Sequence, residues 1–463
     1  MKHINERHIY DILSEAKAPS RERLNAILAK ARSLTRLSMP EAAVLFAATY
    51  PEDINAIFET AKYVKKEIYG TRIVVFAPLY ISNLCANGCL YCAFKSDSDV
   101  VTRKKLTQEE IAAETQALLK MGHKRVLMVS GESGAPCWEE IKYLTDSMGT
   151  IYSGVYGKSG IRRVNVNSAP LDVEGYKKLK EAGIGTYQIF QETYHEETYR
   201  RMHPYGPKSD PDKRIEAVDK AFIAGIDDVG VGVLYGLADH VFDTLALLMH
   251  VEYLERTYGV GPHTISVPRI EKALGAPLTD NVPHAVNDLE FKKLVAILRL
   301  AVPYTGIILS TRENSEMRDE LFTLGVSQVS AGSATSPGGY TSEESNGHAA
   351  GQFELGDART LDEIVETLIA KKTVPSFCTA CYRSERTGAK FMSLAKPGTI
   401  KGKCRMNAII TLKEYLDDFA SKEVKAKGYK LIKTLGGELE ADEKKAMSDI
   451  LSKLENGARD MYV

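Results

Sequence analysis

Three cysteines stand close together in the segment Cys-Ala-Asn-Gly-Cys-Leu-Tyr-Cys: they are Cys85, Cys89 and Cys92, the first trio. Their spacing brings three thiolates onto one short loop, whereas a four-iron cluster has four irons to ligate. One iron would therefore stay open to another ligand. A structural zinc site is the alternative, but zinc prefers four protein ligands and the loop holds no fourth Cys or His. The segment predicts an iron–sulfur cluster with an open iron.

A second group of three cysteines, again without a fourth ligand, lies far along the chain. Cys378, Cys381 and Cys404 form this second trio, in which a Cys-x-x-Cys pair is followed at a distance by a single cysteine. A zinc knuckle is the alternative interpretation, and the missing fourth ligand favours a second iron–sulfur cluster. The seventh cysteine, Cys137, belongs to neither trio, and we expect a buried or incidental thiol there.

Composition excludes several classes of protein. The 463 residues are 44% hydrophobic and 26% charged, and 60 Lys and Arg balance 61 Asp and Glu, which does not indicate disorder or a nucleic-acid surface. The amino terminus is charged and lacks the apolar core of a signal peptide, and no apolar run reaches membrane-spanning length. We expect a cytoplasmic protein with no nucleic-acid or membrane partner.

The pattern of apolar residues changes near residue 70, from helical spacing to short β-branched runs alternating with amphipathic stretches. Eight such runs predict the strands of a (β/α)8 barrel, an α/β fold: 73–78, 125–130, 163–167, 186–190, 229–234, 264–267, 306–310 and 326–330. We therefore expect an N-terminal helical layer over 1–70, a barrel over 71–340, and a mainly helical C-terminal domain over 341–463 that carries the second trio.

The first trio resembles the cluster loop of the radical S-adenosylmethionine (SAM) superfamily, which has this spacing and follows the first barrel strand. The resemblance implies a 4Fe-4S cluster whose open iron chelates SAM, and an electron that cleaves SAM to an adenosyl radical. Tyr91, just before Cys92, suits the adenine side of such a site. Because ligands of parallel barrels bind at the carboxyl ends of strands, those ends supply further candidates.

We expect three of these candidates to bind SAM. Glu132, after the second strand, resembles the acid of the motif that holds the SAM amino group, and Glu192 follows the fourth strand. Arg214 resembles an arginine that pairs with the SAM carboxylate in related maturases. A solvent-exposed ion pair is the alternative interpretation of Glu192 and Arg214.

The chain also resembles the aromatic amino-acid lyases of the superfamily, and this resemblance assigns substrate binding to Tyr80, Arg312 and Ser330. Arginine is well shaped to hold a carboxylate through two parallel hydrogen bonds. A structural salt bridge is the alternative for Arg312, which follows the seventh strand.

Together the two trios closely resemble the HydG family, the tyrosine lyases that mature [FeFe]-hydrogenase, which are related to the 2-iminoacetate synthase ThiH. The similarity extends through Gln-Glu-Thr-Tyr at 191–194, Met-His-Pro-Tyr at 202–205, Gly-Pro-His-Thr-Ile-Ser-Val-Pro-Arg at 261–269 and Phe-Cys-Thr-Ala-Cys-Tyr-Arg at 377–383. It implies that His263, at the start of the sixth strand, holds a labile iron attached to a second 4Fe-4S cluster. A packed core histidine is the alternative.

What the resemblance implies is a carbon–carbon lyase that splits L-tyrosine into p-cresol and dehydroglycine. The second fragment would then yield carbon monoxide and cyanide on the labile iron, for assembly of the hydrogenase H-cluster. Its expected partners are an electron donor, such as ferredoxin or flavodoxin, and other hydrogenase maturation proteins. The alternatives are 2-iminoacetate synthase of thiamine biosynthesis, which would not need the second trio, and a non-catalytic metal carrier.

Overall fold

A closed barrel of eight parallel strands forms the centre of the protein. The computed structural model describes residues 1–342 and 351–463. In chain order its strands are β1 (Arg72–Ser82), β2 (Arg125–Ser130), β3 (Val155–Tyr156), β4 (Ser159–Gly160), β5 (Arg163–Asn167), β6 (Tyr187–Glu192), β7 (Val229–Val233), β8 (Thr264–Ser266), β9 (Gly306–Leu309), β10 (Gln328–Ser330) and β11 (Val374–Ser376). The barrel consists of β1, β2 and β5 to β10, and β10 closes it by pairing with β1. The predicted barrel is confirmed.

Helices cover the barrel, and most begin at a side-chain cap. They are α1 (Glu6–Glu15), α2 (Arg21–Arg32), α3 (Met39–Phe46), α4 (Pro51–Tyr69), α5 (Gln108–Met121), α6 (Cys137–Ser153), α7 (Val173–Glu181), α8 (Glu196–Met202), α9 (Pro211–Ile223), α10 (His240–Tyr258), α11 (Asp288–Ala301), α12 (Ser315–Leu324), α13 (Leu361–Ala370), α14 (Ala380–Arg383), α15 (Gly388–Ala395), α16 (Lys401–Asp418), α17 (Lys422–Gly437) and α18 (Ala441–Glu455). Short 3-10 helices span Pro207–Ser209 and Pro277–Asp280. Thr107 and Glu110, for example, form a capping box at α5, which satisfies backbone N–H groups there.

Most barrel strands are short and largely buried on both faces, which explains their β-branched composition. All five residues of β7 are buried, as are all four of β9. Parallel strands must return through a crossover, and the intervening helices place every loop that follows a strand at the same end of the barrel. Residues far apart in the chain therefore meet there.

Helices α1 to α4 form the N-terminal layer: α1, α3 and α4 pack against the outer barrel helices α10, α11 and α12, and α2 packs against α4. A short connection separates α3 from α4, and Pro51 takes the first helical position of α4. Lys65 of α4 is buried and donates a hydrogen bond to the carbonyl of Phe322. None of the helices within residues 1–342 and 351–463 combines the length and the apolar composition that a membrane span requires.

The C-terminal helices close the amino end of the barrel. Strand β11 pairs with the start of β1, where Val374 opposes Arg72, and α16 packs on β11. Helix α13, which precedes β11, follows the last barrel strand in the chain. Cys137 is exposed at the start of α6, so of the two expected alternatives a buried thiol is wrong and an incidental thiol stays a prediction.

Candidate active site and second cysteine site

A cavity at the carboxyl ends of the barrel strands contains the first trio. The loop that follows β1 brings all three cysteines to it. The other predicted residues of this site line the same cavity: Tyr80, Tyr91, Glu132, Glu192, Arg214, Arg312 and Ser330. The structure therefore brings together ten side chains that come from six separate segments of the sequence.

Amide groups approach two of the sulfur atoms of the first trio. Asn87 Nδ2 lies 3.6 Å from Cys85 Sγ, and Gln352 Nε2 lies 3.7 Å from Cys92 Sγ. Burial raises the pKa of the Cys89 thiol to about 12, so this thiol becomes a thiolate only beside a strong positive charge such as a metal centre. Three sulfurs in one cavity, two of them facing N–H donors, fit an iron–sulfur cluster.

Acidic and basic side chains converge on one wall of the cavity. Arg214 Nη1 lies 3.9 Å from Glu132 Oε2, and Arg214 Nη2 lies 3.8 Å from Glu192 Oε1. The Arg214 side chain is also fixed by its Nε, which donates to the carbonyl of Phe190 at 2.6 Å. All three side chains are largely buried, so they are not the solvent-exposed pair that was the alternative interpretation.

The backbone of Glu192 departs from ordinary strand geometry. Its φ is +70°, in the left-handed region that side chains other than glycine rarely adopt. The pairing of β6 with β7 shifts register between Phe190 and Glu192, so an irregularity in the strand turns the Glu192 side chain into the cavity. Such local strain is common where a side chain serves a site.

Arg312, Tyr80 and Ser330 lie on another part of the cavity wall. The Arg312 guanidinium carbon lies 3.3 Å from the centre of the Phe353 ring. Among residues 1–342 and 351–463 no carboxylate forms a salt bridge with Arg312, which contradicts the structural salt bridge that was the alternative for this residue. The Tyr80 hydroxyl donates to Gln352 Oε1 at 2.9 Å, and Ser330 Oγ accepts from the Thr311 backbone N–H.

The second trio lies at the opposite, amino end of the barrel. Cys378, Cys381 and Cys404 line one small cavity together with His263. Arg72 lies beside Cys404, and the Ala380 backbone N–H donates to Cys378 Sγ at 3.4 Å. Burial raises the pKa of Cys378 to about 11, which again requires a nearby positive charge for the thiolate.

His263 faces this second cavity from the start of β8. Its ring lies 4.4 Å from the ring of Phe391, between centroids, and its Nδ1 lies 3.8 Å from Asp228 Oδ2. Burial lowers the pKa of His263, although Asp228 opposes the shift. The imidazole is thus neutral at neutral pH, the form that can bind a metal. In the part of the chain that the structure describes, no three His, Cys, Asp or Glu side chains are arranged to hold a single metal ion.

Two family models match the chain. Residues 79–249 match the radical SAM superfamily, and residues 266–373 match the biotin and thiamin synthesis associated domain. The 2-iminoacetate synthase of Salmonella typhimurium is 30% identical over 347 residues, which are 75% of this chain and 88% of that protein. The [FeFe] hydrogenase maturase subunit HydE of Thermotoga maritima is 25% identical over 282 residues, which are 60% of this chain and 74% of that protein.

Solved structures cover more of the chain. A crystal structure of HydG, described as a maturase of the [FeFe]-hydrogenase, is 47% identical, covers 100% of both chains and superposes with a TM-score of 0.96. The chain belongs to the HydG family. A second HydG structure, from Carboxydothermus hydrogenoformans, is 42% identical, covers 96% of this chain and 97% of its own, and has a TM-score of 0.84. As radical SAM proteins, HydG family members have a 4Fe-4S cluster that binds SAM.

Sequence reasoning missed several residues of the cavity in this HydG family member. Lys208, buried beside Glu192, follows the Met-His-Pro-Tyr segment, and that segment was the available signal. Asn87 lies between two cysteines of the first trio, a position that could have marked it. Gln352 and Phe353 come from a stretch in which no sequence pattern pointed to the cavity.

Proposed function

We propose that this protein cleaves L-tyrosine to p-cresol and dehydroglycine and converts dehydroglycine to carbon monoxide and cyanide for the H-cluster of [FeFe]-hydrogenase. The observation that carries the proposal is the presence of two cysteine trios at opposite ends of one barrel, the second beside His263. The similarity to the HydG structures supports it over the full length of the chain.

In this proposal Arg312 binds the carboxylate of tyrosine. Its guanidinium lines the cavity, stacks on Phe353 and lacks an acidic partner among the described residues, so it can offer two parallel N–H groups to a ligand. Tyr80 on β1 and Ser330 on β10, which line the same cavity, bind the rest of the amino acid. Phe353 and Phe94 supply apolar surface for the phenol ring in the same cavity.

Glu132, Glu192 and Arg214 would hold the polar groups of SAM, with Tyr91 beside the adenine. A carboxylate suits the amino group of SAM, and a guanidinium suits its carboxylate. When bound to SAM, the cluster on the first trio supplies an adenosyl radical. The buried walls of the cavity exclude water, so a reactive species formed there meets the substrate before it meets solvent.

The products have compositions that balance. Transfer of a hydrogen atom from the tyrosine amino group to the adenosyl radical would weaken the Cα–Cβ bond. Its cleavage would leave a phenolic benzylic radical, which takes up one electron from the reductant and one proton to become p-cresol. The remaining fragment, dehydroglycine, contains the atoms of one carbon monoxide, one hydrogen cyanide and one water. The role of this chain is to fix the tyrosine carboxylate at Arg312, so that the amino group stays near the first trio.

We assign the second step to residues 341–463, as an auxiliary cluster domain, together with His263. The second trio would hold a 4Fe-4S cluster, and the neutral imidazole of His263 would hold the labile iron that accepts carbon monoxide and cyanide. An electron donor of the ferredoxin or flavodoxin kind must supply the electron, and other maturation proteins would receive the iron product.

A second candidate function is 2-iminoacetate synthase. The observation that favours it is the 30% identity to the Salmonella typhimurium enzyme of that name, over 88% of that protein. This candidate cleaves tyrosine at the first site in the same way, and it gives no role to the second trio. The two candidates therefore differ only in the products that leave the protein.

The test is anaerobic reconstitution with iron, sulfide, SAM, L-tyrosine and a reductant, followed by assays of p-cresol, carbon monoxide and cyanide. The key variant is Cys378→Ala/Cys381→Ala, and the matched control is Cys137→Ala, because Cys137 is exposed and belongs to neither trio. We expect the control to behave as the wild type. The key variant should still form p-cresol and should form no carbon monoxide.

Each other outcome has a defined meaning. Unchanged carbon monoxide in the double variant would refute the role of the second trio. Wild-type protein that forms p-cresol but neither carbon monoxide nor cyanide would favour 2-iminoacetate synthase. Wild-type protein that forms no p-cresol would reject both enzymes and favour a metal carrier.

A further inference from the structure

The segment between α8 and α9 lies directly against the loop of the first trio. The Leu90 backbone N–H donates to the carbonyl of Met202 at 3.1 Å, and the Gly88 N–H donates to the carbonyl of Tyr205 at 3.2 Å. The Lys208 backbone N–H donates to Asn87 Oδ1 at 2.8 Å. These three hydrogen bonds join the two segments along their length.

Lys208 lies near the end of this segment, and its side chain lines the cavity. Its Nζ lies 2.6 Å from Glu192 Oε1 and 3.0 Å from the Tyr91 hydroxyl. Its side chain is only 10% exposed, and the Tyr199 hydroxyl donates to its backbone carbonyl at 2.7 Å. A buried ammonium is costly unless charged and polar groups surround it, and here both are present.

The hydrogen bonds around Tyr91 have a definite direction. His203 Nδ1 lies 2.7 Å from the carbonyl oxygen of Tyr199, which can only accept, so Nδ1 carries the proton. Burial lowers the pKa of His203 well below its ordinary value, so its Nε2 is an acceptor. The Tyr91 hydroxyl, 2.7 Å away, donates to that nitrogen and therefore accepts from Lys208.

We propose that Lys208 is a positioning residue of the SAM site. It holds the Glu192 carboxylate and the Tyr91 ring at a fixed separation, on the side of the first trio where SAM binds. Without Lys208, the Glu192 carboxylate could turn toward Arg214, whose Nη2 lies 3.8 Å from Glu192 Oε1. The shorter contact of 2.6 Å between Lys208 Nζ and Glu192 Oε1 prevents this turn.

This inference deepens the proposed function and rests on it for the SAM site only. Its test measures SAM binding without tyrosine, so a failure of tyrosine cleavage leaves the test intact. Lys208→Met removes the ammonium and keeps much of the side-chain volume, whereas Lys208→Arg keeps the charge. Lys213→Met is the matched control, because Lys213 is exposed on α9 one residue before Arg214.

Each variant is reconstituted anaerobically with iron and sulfide, and its iron content and reduced-cluster EPR spectrum are recorded before and after SAM is added. Lys208→Met should keep the iron and the SAM-free spectrum but should bind SAM roughly ten- to a hundredfold more weakly, the effect of one charge-assisted hydrogen bond. The EPR shift caused by SAM should shrink accordingly. Lys208→Arg should recover part of the affinity.

Three results would overturn the proposal. The first is wild-type SAM affinity and an unchanged EPR shift in Lys208→Met. The second is an equal loss of affinity in Lys213→Met. The third is loss of iron from Lys208→Met before SAM is added, because Lys208 would then be a structural residue of the cluster loop.

Discussion

Replacing Arg312 by methionine should weaken tyrosine binding through the carboxylate alone. The guanidinium has no salt-bridge partner among the described residues, so the change breaks no ion pair there and leaves the Phe353 ring in contact with an apolar chain. A hydrogen bond to a charged group contributes about 1.5–3 kcal/mol. With the lower end of that range for each of two such bonds, we expect their loss to cost about 3 kcal/mol, or roughly a hundredfold in Kd.

The assay is calorimetric binding of L-tyrosine and of tyramine, which lacks the carboxylate, to reconstituted protein with SAM and no reductant. Wild-type protein should prefer L-tyrosine, whereas Arg312→Met should bind both ligands about equally. Arg256→Met, at an exposed position of α10, controls for loss of a surface charge. An equal loss of affinity for both ligands, or unchanged binding of L-tyrosine, would refute the reasoning.

Three more predictions concern the cluster loop, the C-terminal region and pH. A Cβ atom at Gly88 would lie 2.3 Å from the Tyr205 ring, so Gly88→Ala should lower the amount of iron bound at the first trio. Adding Tyr205→Ala should restore that iron, and equal iron contents in the wild type and Gly88→Ala would contradict this prediction. Glu414→Gln should lower the free energy of unfolding by about 3 kcal/mol, because it breaks a buried 2.6 Å ion pair with Arg162. A change below about 0.5 kcal/mol in denaturant titrations would contradict this. Burial lowers the pKa of His123 to about 3, so its contribution to stability is complete above pH 6.5 and is lost as the pH falls toward 3. At pH 5 the loss is about 2 kcal/mol, so His123→Gln should show a smaller fall in the free energy of unfolding between pH 7 and 5 in denaturant titrations. An equal fall in the two proteins would contradict this prediction.

The barrel could be predicted because its strands obey a simple physical rule. A parallel strand buried on both faces needs a short apolar, β-branched run, and such runs are visible in the sequence without knowledge of what they pack against. Strand β11 was missed for the opposite reason. It has three residues including Pro375, too few to show a period, and it exists because the start of β1 offers it a partner.

The two trios and the strand-end residues could be predicted because cysteine spacing and strand ends are both local features. The sequence offered a signal near Lys208 in the Met-His-Pro-Tyr segment, but the contacts of Lys208 and Gln352 could not be predicted, because they depend on distances between segments. Lys208 meets Glu192 and Tyr91 only when the segment after α8 folds over the cluster loop. Gln352 joins Tyr80 to Cys92 from a segment with no regular structure.

The central claim is that the cavity around the first trio cleaves L-tyrosine by radical chemistry. The most direct measurement is the joint quantification of 5′-deoxyadenosine and p-cresol in one anaerobic reaction with SAM, L-tyrosine and a reductant. We predict that both products form in equal amounts and that neither forms when Cys89 is replaced by alanine. Formation of 5′-deoxyadenosine without p-cresol would contradict the assignment of tyrosine as the substrate, and absence of both products would contradict the account as a whole.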